Sequence, residues 1–399
     1  MIEAIPTSIN YLDTTMRDGD QAQPQENQCP PGTKPGIAEE LAAMGIHTIE
    51  AGFPTTPTDT EEVTEVARTV GRSSYMVTPY HMEGSRLVAG DVYDHVPVIT
   101  GLSRATKGDI ENTWAAVQEA DRPGIHTFIA TAADHVAVKF PGKSQEDVRE
   151  MARAAVAHAW EISGGTARIE FSAEAATGTD RGFLESVVKT VMQEGASVIN
   201  LPDTLGQSSP RKIAQLFSDV TRWVAQEGLQ DAVTISTHNH NDFGMATANT
   251  LSALEAVADT ARELGIRIPN MQAEIVVGGR GERAGNASEE QVIMAMQKHA
   301  DEFGEDIVMP QVDITRMMRV TQHVFGVLDM EIPDTAPIIG MGTHTHRSGI
   351  HSDAIIKGGA GVYTPYDPRW VGHQEAAIIA PGGYQGKKGA DNLGPWQQY

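Results

Sequence analysis

Short apolar runs with alternating facing recur along the chain, separated by stretches whose apolar residues fall at helical spacing. The runs at 9–13 (INYLD), 46–50 (IHTIE), 96–100 (VPVIT), 124–130 (GIHTFIA), 167–171 (ARIEF), 197–201 (SVINL), 233–237 (VTIST) and 273–277 (AEIVV) predict strands. The stretches near 34–44, 59–70, 109–121, 145–162, 180–194, 210–227, 244–264 and 288–303 predict helices. Several open on cap-like acids, such as Asp59, Asp109 and Asp180. The segment 74–93 reads as an extra strand or loop inside the third repeat. This alternation predicts an α/β fold, a (β/α)8 barrel. A doubly wound sheet is the competing architecture, but no Gly-rich phosphate loop follows the first strand to favour it.

After about residue 305 the pattern changes. One helix is predicted over 311–328, then a Pro- and Gly-rich passage, then RSGIHSDAIIKGG (347–359) and YTPYDPRWVG (363–372). The expected division is a catalytic barrel over 1–305 and a helical subdomain over 306–399 that packs near the barrel mouth. Its Gly-rich tail, 380–399, has little to bury and is expected to be mobile or only partly ordered.

Charge narrows the partners. Lys and Arg number 30 against 53 Asp and Glu, a formal charge of −23 that repels nucleic acid and anionic membrane surfaces. A few local arginines can still hold a small anion. The single cysteine, Cys29, permits no intramolecular disulfide, which fits a reducing compartment. MIEAIPTSINYLD has neither a basic nor an apolar leader region, and no apolar run reaches the roughly 18 residues of a membrane span. A cytoplasmic location is expected.

Candidate chemistry gathers at the C-terminal ends of the strands, the side on which a barrel carries its active site. Strand one runs into DTTMRDGDQ (13–21), strand two ends at Glu50, and strand three runs into GLSRA with Arg104. Strand four holds His126, strand five Glu170 and then Glu174, and strand six leads into PDT with Thr204. In VTISTHNHNDF, the period of two puts His238 and His240 on one face, a pairing suited to a divalent metal. Strand eight leads into GGRGERAGN, with Arg280 and Asn286. In a closed barrel only strand eight separates strands one and seven. Asp18, His238 and His240 can therefore surround one ion, with Asn286 as a fourth ligand. Such a donor set leaves Mg, Mn, Zn and Co open. Arg17, beside Asp18, suits stabilisation of a developing enolate or alkoxide, or an ion pair with Glu50.

These motifs together resemble the isopropylmalate and homocitrate synthase family of metal-dependent acyl-CoA-condensing barrels. The resemblance rests on DTTMRDGDQ, IEAGFP (49–54), RPGIHTFIAT (122–131), IEFSAEAATGTD (169–180), LPDTLG (201–206), THNHNDFGMATANTLSA (237–253), GERAGN (281–286) and SGIHSDAIIK (348–357). It implies condensation of acetyl-CoA with a 2-oxo acid, with 3-methyl-2-oxobutanoate the first acceptor to consider. It also implies a metal held by Asp18, His238, His240 and Asn286, and Arg17 on the ketone oxygen. Glu174 or His351 would be the base, with Tyr363 near the substrate and Thr204 positioning its carboxylate. Homocitrate, citramalate or phosphonomethylmalate synthesis are alternatives in the same class, and a C–C lyase is an alternative outside it. A homodimer with exchanged helical subdomains is implied, in which His351 serves the partner's barrel.

Two departures carry expectations. GGRGER at 278–283 stands where the family commonly has NGxGER, so Arg280 would favour an acceptor with an extra anionic group. The passage 257–275 is longer than the usual turn into strand eight and would alter the pocket mouth or subunit contacts. The regulatory domain of leucine-regulated members is not expected, because no segment is long enough to form it.

Overall fold

The computed structural model describes residues 7–24 and 27–380, and the backbone of 397–398. The 380–399 tail expected to be mobile therefore lies almost wholly outside the described residues. Eight parallel strands close into a barrel: β1 (Thr7–Asp13), β2 (Thr48–Glu50), β3 (Val98–Arg104), β4 (Pro123–Ala130), β5 (Arg168–Glu174), β6 (Val198–Asp203), β7 (Thr234–Asn239) and β8 (Asn270–Ile275). Closure is the β8–β1 pairing, with Ile9 opposite Met271 and Asp13 opposite Ile275. The outer ring is α1 (Lys34–Met44), α2 (Pro57–Thr69), α3 (Lys107–Val117), α4 (Gln145–Ile162), α5 (Arg181–Gln193), α6 (Pro210–Gln226), α7 (Ala246–Leu264) and α8 (Glu289–Lys298). No helix among the described residues is long and apolar enough to cross a membrane.

The period of two along each strand sorts its side chains between helices and barrel interior. Ile49, Ile99, Ile125, Ile169, Ile199, Ile235 and Met271 are buried in the apolar core. On α6, Ile213, Leu216, Phe217, Val220 and Val224 form the matching buried stripe at helical spacing. The intervening strand residues point inward and are largely polar. Arg168 donates to Gln272 (2.7 Å), and Gln272 donates to both Glu170 and Ser236. The barrel interior is therefore held by a buried hydrogen-bond network rather than by branched aliphatic layers.

Helix starts depart from expectation by a turn chemistry visible in the sequence. Thr56 and Thr106 are the N-caps of α2 and α3, and Asp59 and Asp109 sit three residues on, bonding back to those caps. Asp180 does cap α5, accepting from the Phe183 amide at 3.0 Å. The 74–93 segment forms two small antiparallel pairs, Tyr75–Val77 with Tyr93–His95 and Tyr80–Glu83 with Arg86–Ala89. It follows α2 and precedes β3, so it belongs to the N-terminal end of the barrel. The 257–275 passage, expected to alter the pocket mouth or subunit contacts, lies away from the mouth. Its first half is the end of α7, closed by left-handed Gly265, and its remainder enters β8 at the barrel end remote from the mouth. It therefore does not shape the pocket mouth.

Beyond the barrel, a 3-10 turn (Ile314–Arg316) precedes α9 (Met317–Val327), where a single helix over 311–328 was expected. Asp313 accepts from the Thr315 amide and so holds that turn apart from the helix. α9 packs against α1 and sets Phe325 against Gly278. The helical subdomain continues through α10 (Gly349–Gly358) and a short parallel pairing of 345–346 with 378–379.

Candidate metal centre and cavity

A cavity of about 340 Å³ opens at the C-terminal ends of the strands, lined among others by Arg17, Asp18, His126, Glu174, Thr204, His238 and His240. Arg17 and Asp18 follow β1, His238 and His240 come from β7 and its end, and His126, Glu174 and Thr204 come from β4, the end of β5 and the turn after β6. The ligand-capable atoms of Asp18, His238 and His240 all lie within 4.8 Å of one another, and all three residues are buried.

The two imidazoles approach Nε2 to Nε2 at 3.2 Å. Glu274 Oε2 lies 2.7 Å from His238 Nδ1 as an ion-pair contact, leaving Nε2 toward the cluster. Glu274 also accepts from Asn200 at 2.6 Å, and Asn200 donates to Ser172 at 2.8 Å. Ser172 meets His126 Nε2 at 2.7 Å, and His126 Nδ1 meets Glu50 at 2.7 Å. Glu50 accepts from Arg17 Nε at 2.5 Å, and Arg17 also bonds Asp18. A continuous series of contacts thus links Arg17 to His238 through the barrel interior.

Charge states follow from this packing. Burial opposes ionisation of Asp18, yet Arg17, His238 and His240 hold its carboxyl well below the usual range. Burial, seconded by His238, brings His240 down to about 4, so its ring is neutral at pH 7. Burial would lower His238, but Glu274 and Asp18 outweigh it and raise it. Burial would lower His126 too, but Glu50 and Glu170 bring it up to about 9. Burial pushes Glu170 up to about 7.

Asn286 donates from Nδ2 to Asp18 (2.7 Å) and to the Arg280 carbonyl (3.0 Å). Its Oδ1 is buried without a hydrogen-bond partner. A carboxylate, two convergent imidazole nitrogens and an orphaned amide oxygen fit a divalent cation. The glycines beside it allow the close approach: Gly285 has φ 88°, and a Cβ there would lie 1.9 Å from the Gly279 carbonyl.

Other sequence candidates fall differently. Glu174 lies in the cavity wall but is ion-paired to Lys139 (2.7 Å to Oε2) and faces His135 Nδ1 at 3.5 Å. Neither Lys139 nor His135 was anticipated. Both come from a short helix, Ala133–Lys139, between β4 and α4. Thr204 accepts from the Ala175 amide and lines the cavity. Glu170 lies deeper, bound to Gln272. Arg104 is exposed and clasps Asp109, and the buried Arg280 donates to the Asn27 carbonyl at 3.3 Å; neither lines the cavity. His351 and Tyr363 stack on each other in the subdomain, ring centroids 3.9 Å apart, also outside the cavity wall.

Residues 8–324 match the family model described as HMGL-like. Among curated relatives, 2-isopropylmalate synthase 2, chloroplastic, of Arabidopsis thaliana is 36% identical over 92% of this chain and 52% of its own length. The 2-isopropylmalate synthase of Pyrococcus furiosus is 35% identical over 93% of this chain and 65% of its own. The chain thus spans between about half and two thirds of these relatives. Among solved structures, hydroxymethylglutaryl-CoA lyase from Pseudomonas aeruginosa superposes with a TM-score of 0.57 at 16% identity, covering 83% of this chain and 96% of that one. That likeness is one of fold.

Proposed function

The chain belongs to the HMGL-like family, and from that premise we propose that it condenses acetyl-CoA with a 2-oxo acid to give a 2-substituted malate and CoA. The best-supported acceptor is 3-methyl-2-oxobutanoate, giving 2-isopropylmalate. The observation that carries this reading is the convergence of Asp18, His238 and His240 beside Arg17 in one cavity. Asp18, His238, His240 and Asn286 would hold a divalent cation, which would supply Lewis-acid polarisation when bound.

The chain's own groups do the rest. Arg17, held between Glu50 and Asp18, is fixed where negative charge grows on the acceptor oxygen as the new carbon–carbon bond forms. Thr204 positions the acceptor carboxylate. Glu174 removes a proton from the acetyl methyl, and Lys139 and His135 hold its carboxylate in place. The resulting enolate carbon attacks the ketone carbon, the alkoxide takes up a proton, and water cleaves the thioester to release CoA. His351 and Tyr363 lie outside the cavity wall of their own chain, which supports a second copy presenting them to this barrel. Of the cavity's basic side chains, Arg17 and Lys139 are paired with acids, and Arg280, outside the cavity wall, faces the Asn27 carbonyl. This supports an acceptor with a single carboxylate over a dianionic one.

The test is thiol release from acetyl-CoA against a panel of 2-oxo acids, with chelator and metal add-back. Metal-dependent release with 3-methyl-2-oxobutanoate is expected. Release only with a dianionic or phosphonate-bearing acceptor moves the substrate, and release with none refutes the reading.

A further inference from the structure

We propose that Arg283 is a positioning residue that clamps the Thr204 turn against the loops after β7 and β8, and that this clamp sets how tightly the acceptor is held. The inference rests on the reading above for the acceptor, but not for the clamp itself.

Arg283 lies past the end of β8 and outside the cavity wall. Its Nε donates to Asp242 Oδ1 at 2.8 Å and its Nη2 to Asp242 Oδ2 at 2.9 Å, a two-pronged pairing that lysine cannot copy. The same Nη2 donates to the Thr204 carbonyl at 2.7 Å. One guanidinium therefore joins the turns after β6, β7 and β8. The backbone is shaped for this contact. Arg283 stands at φ 54°, in the left-handed region that a residue with a side chain occupies at a cost. Gly206 stands at φ 58°, and a Cβ there would lie 2.5 Å from Asp242 Oδ2.

The neighbouring contacts show what Arg283 alone holds. The turns after β7 and β8 are already joined through backbone, Asn241 amide to Gly285 carbonyl at 2.9 Å and Ala287 amide to Asn239 carbonyl at 3.0 Å. His240 and Asn286 thus keep their places without Arg283. Asp203 anchors the root of the Thr204 turn, accepting from the Ser208 amide and hydroxyl at 3.0 Å each. The Thr204 carbonyl, however, has Arg283 as its one donor among the described residues. The Thr204 hydroxyl accepts from the Ala175 amide at 2.9 Å, which leaves its own proton to meet an acceptor carboxylate in the cavity. An ion pair partly open to solvent adds little to overall stability. Loss of Arg283 therefore shifts the acceptor's seat and leaves the fold in place.

Arg283→Lys keeps the charge and loses the fork. Steady-state assays with Mn²⁺ should give a KM roughly tenfold higher for 3-methyl-2-oxobutanoate, or for whichever 2-oxo acid turns over. The kcat, the KM for acetyl-CoA and the Mn²⁺ affinity should stay within about twofold of wild type. Asp242→Asn should raise the same KM, and the double variant should raise it no further than the more severe single one. An unchanged acceptor KM, or a rise matched by losses in Mn²⁺ affinity and Tm, refutes the positioning role. Amide hydrogen exchange tests the clamp without turnover. In Arg283→Lys the 204–208 amides should exchange roughly tenfold faster and the 285–288 amides at the wild-type rate. Unchanged exchange over 204–208 overturns the clamp. If wild type releases CoA with no 2-oxo acid, the acceptor reading falls and the positioning role falls with it, while the exchange result still decides the clamp.

Discussion

Removing the Glu274 carboxylate separates orientation from charge at the metal centre. Glu274 is buried, pairs with His238 Nδ1 at 2.7 Å and is steadied by Asn200 at 2.6 Å. It thus fixes both the tautomer and the ring angle that turn His238 Nε2 toward Asp18 and His240. Loss of such a carboxylate behind a metal-ligating histidine costs about 10- to 100-fold in affinity, or about 1.4–2.7 kcal/mol. Glu274→Gln keeps an acceptor for Nδ1–H and loses only the charge, so it should fall near the lower figure. Glu274→Ala loses both and should approach the upper one. A second effect opposes the first. Glu274 raises His238, so a proton competes with the metal at lower pH in wild type. Without that carboxylate the competition weakens, and the deficit should be larger at pH 8 than at pH 6. Calorimetric titration with Mn²⁺ and Zn²⁺ at both pH values measures this. Affinity within twofold of wild type for Glu274→Ala at pH 8 would refute the reasoning, because His238 would then need no partner to present its nitrogen.

Glu174→Ala should lower kcat by roughly 10²–10⁴-fold and leave Mn²⁺ affinity unchanged; a loss below threefold in steady-state assays removes Glu174 as the base. Gly285→Ala forces a side chain into a left-handed backbone and against the Gly279 carbonyl. It should destabilise the 278–286 loop by about 1–3 kcal/mol, seen as a lowered Tm together with weaker metal binding. Glu50 stands at about 2 against an ordinary 4.5; burial opposes ionisation, but Arg17 and His126 outweigh it. A lowered folded value means a contribution present above pH 4.5 and lost as the pH falls through about 2, worth roughly 3 kcal/mol. In acid titrations followed by circular dichroism, Glu50→Gln should flatten the loss of stability over that window.

The strands and helices were legible because facing repeats every two residues in one and about every 3.6 in the other, and both signals persist through the barrel. The same period placed His238 and His240 together, and strand adjacency placed Asp18 beside them. The residues behind them were less legible. Glu274 lies inside its strand, where Asn270 and Gln272 alternate with apolar residues and place it on the inward face. Attention to strand ends passes over it, as it passes over Asn200. Lys139 and His135 reach Glu174 across 35 and 39 residues of chain, from a helix too short to carry a clear period. The two hairpins in 75–95 join strands of only three or four residues, too short for alternation to register. Arg280 is an added charge in a glycine loop, but its direction depends on where the distant Asn27 carbonyl lies, which the local sequence does not encode.

The most direct test of the central claim follows the acetyl carbon. Purified protein with Mn²⁺, methyl-labelled acetyl-CoA and 3-methyl-2-oxobutanoate should place the label in 2-isopropylmalate, with one CoA released per product and no incorporation after chelation or in Asp18→Asn. Label recovered only as acetate, or product formed equally without a divalent metal, would contradict the assignment of Asp18, His238 and His240 as the centre of a carbon–carbon condensation.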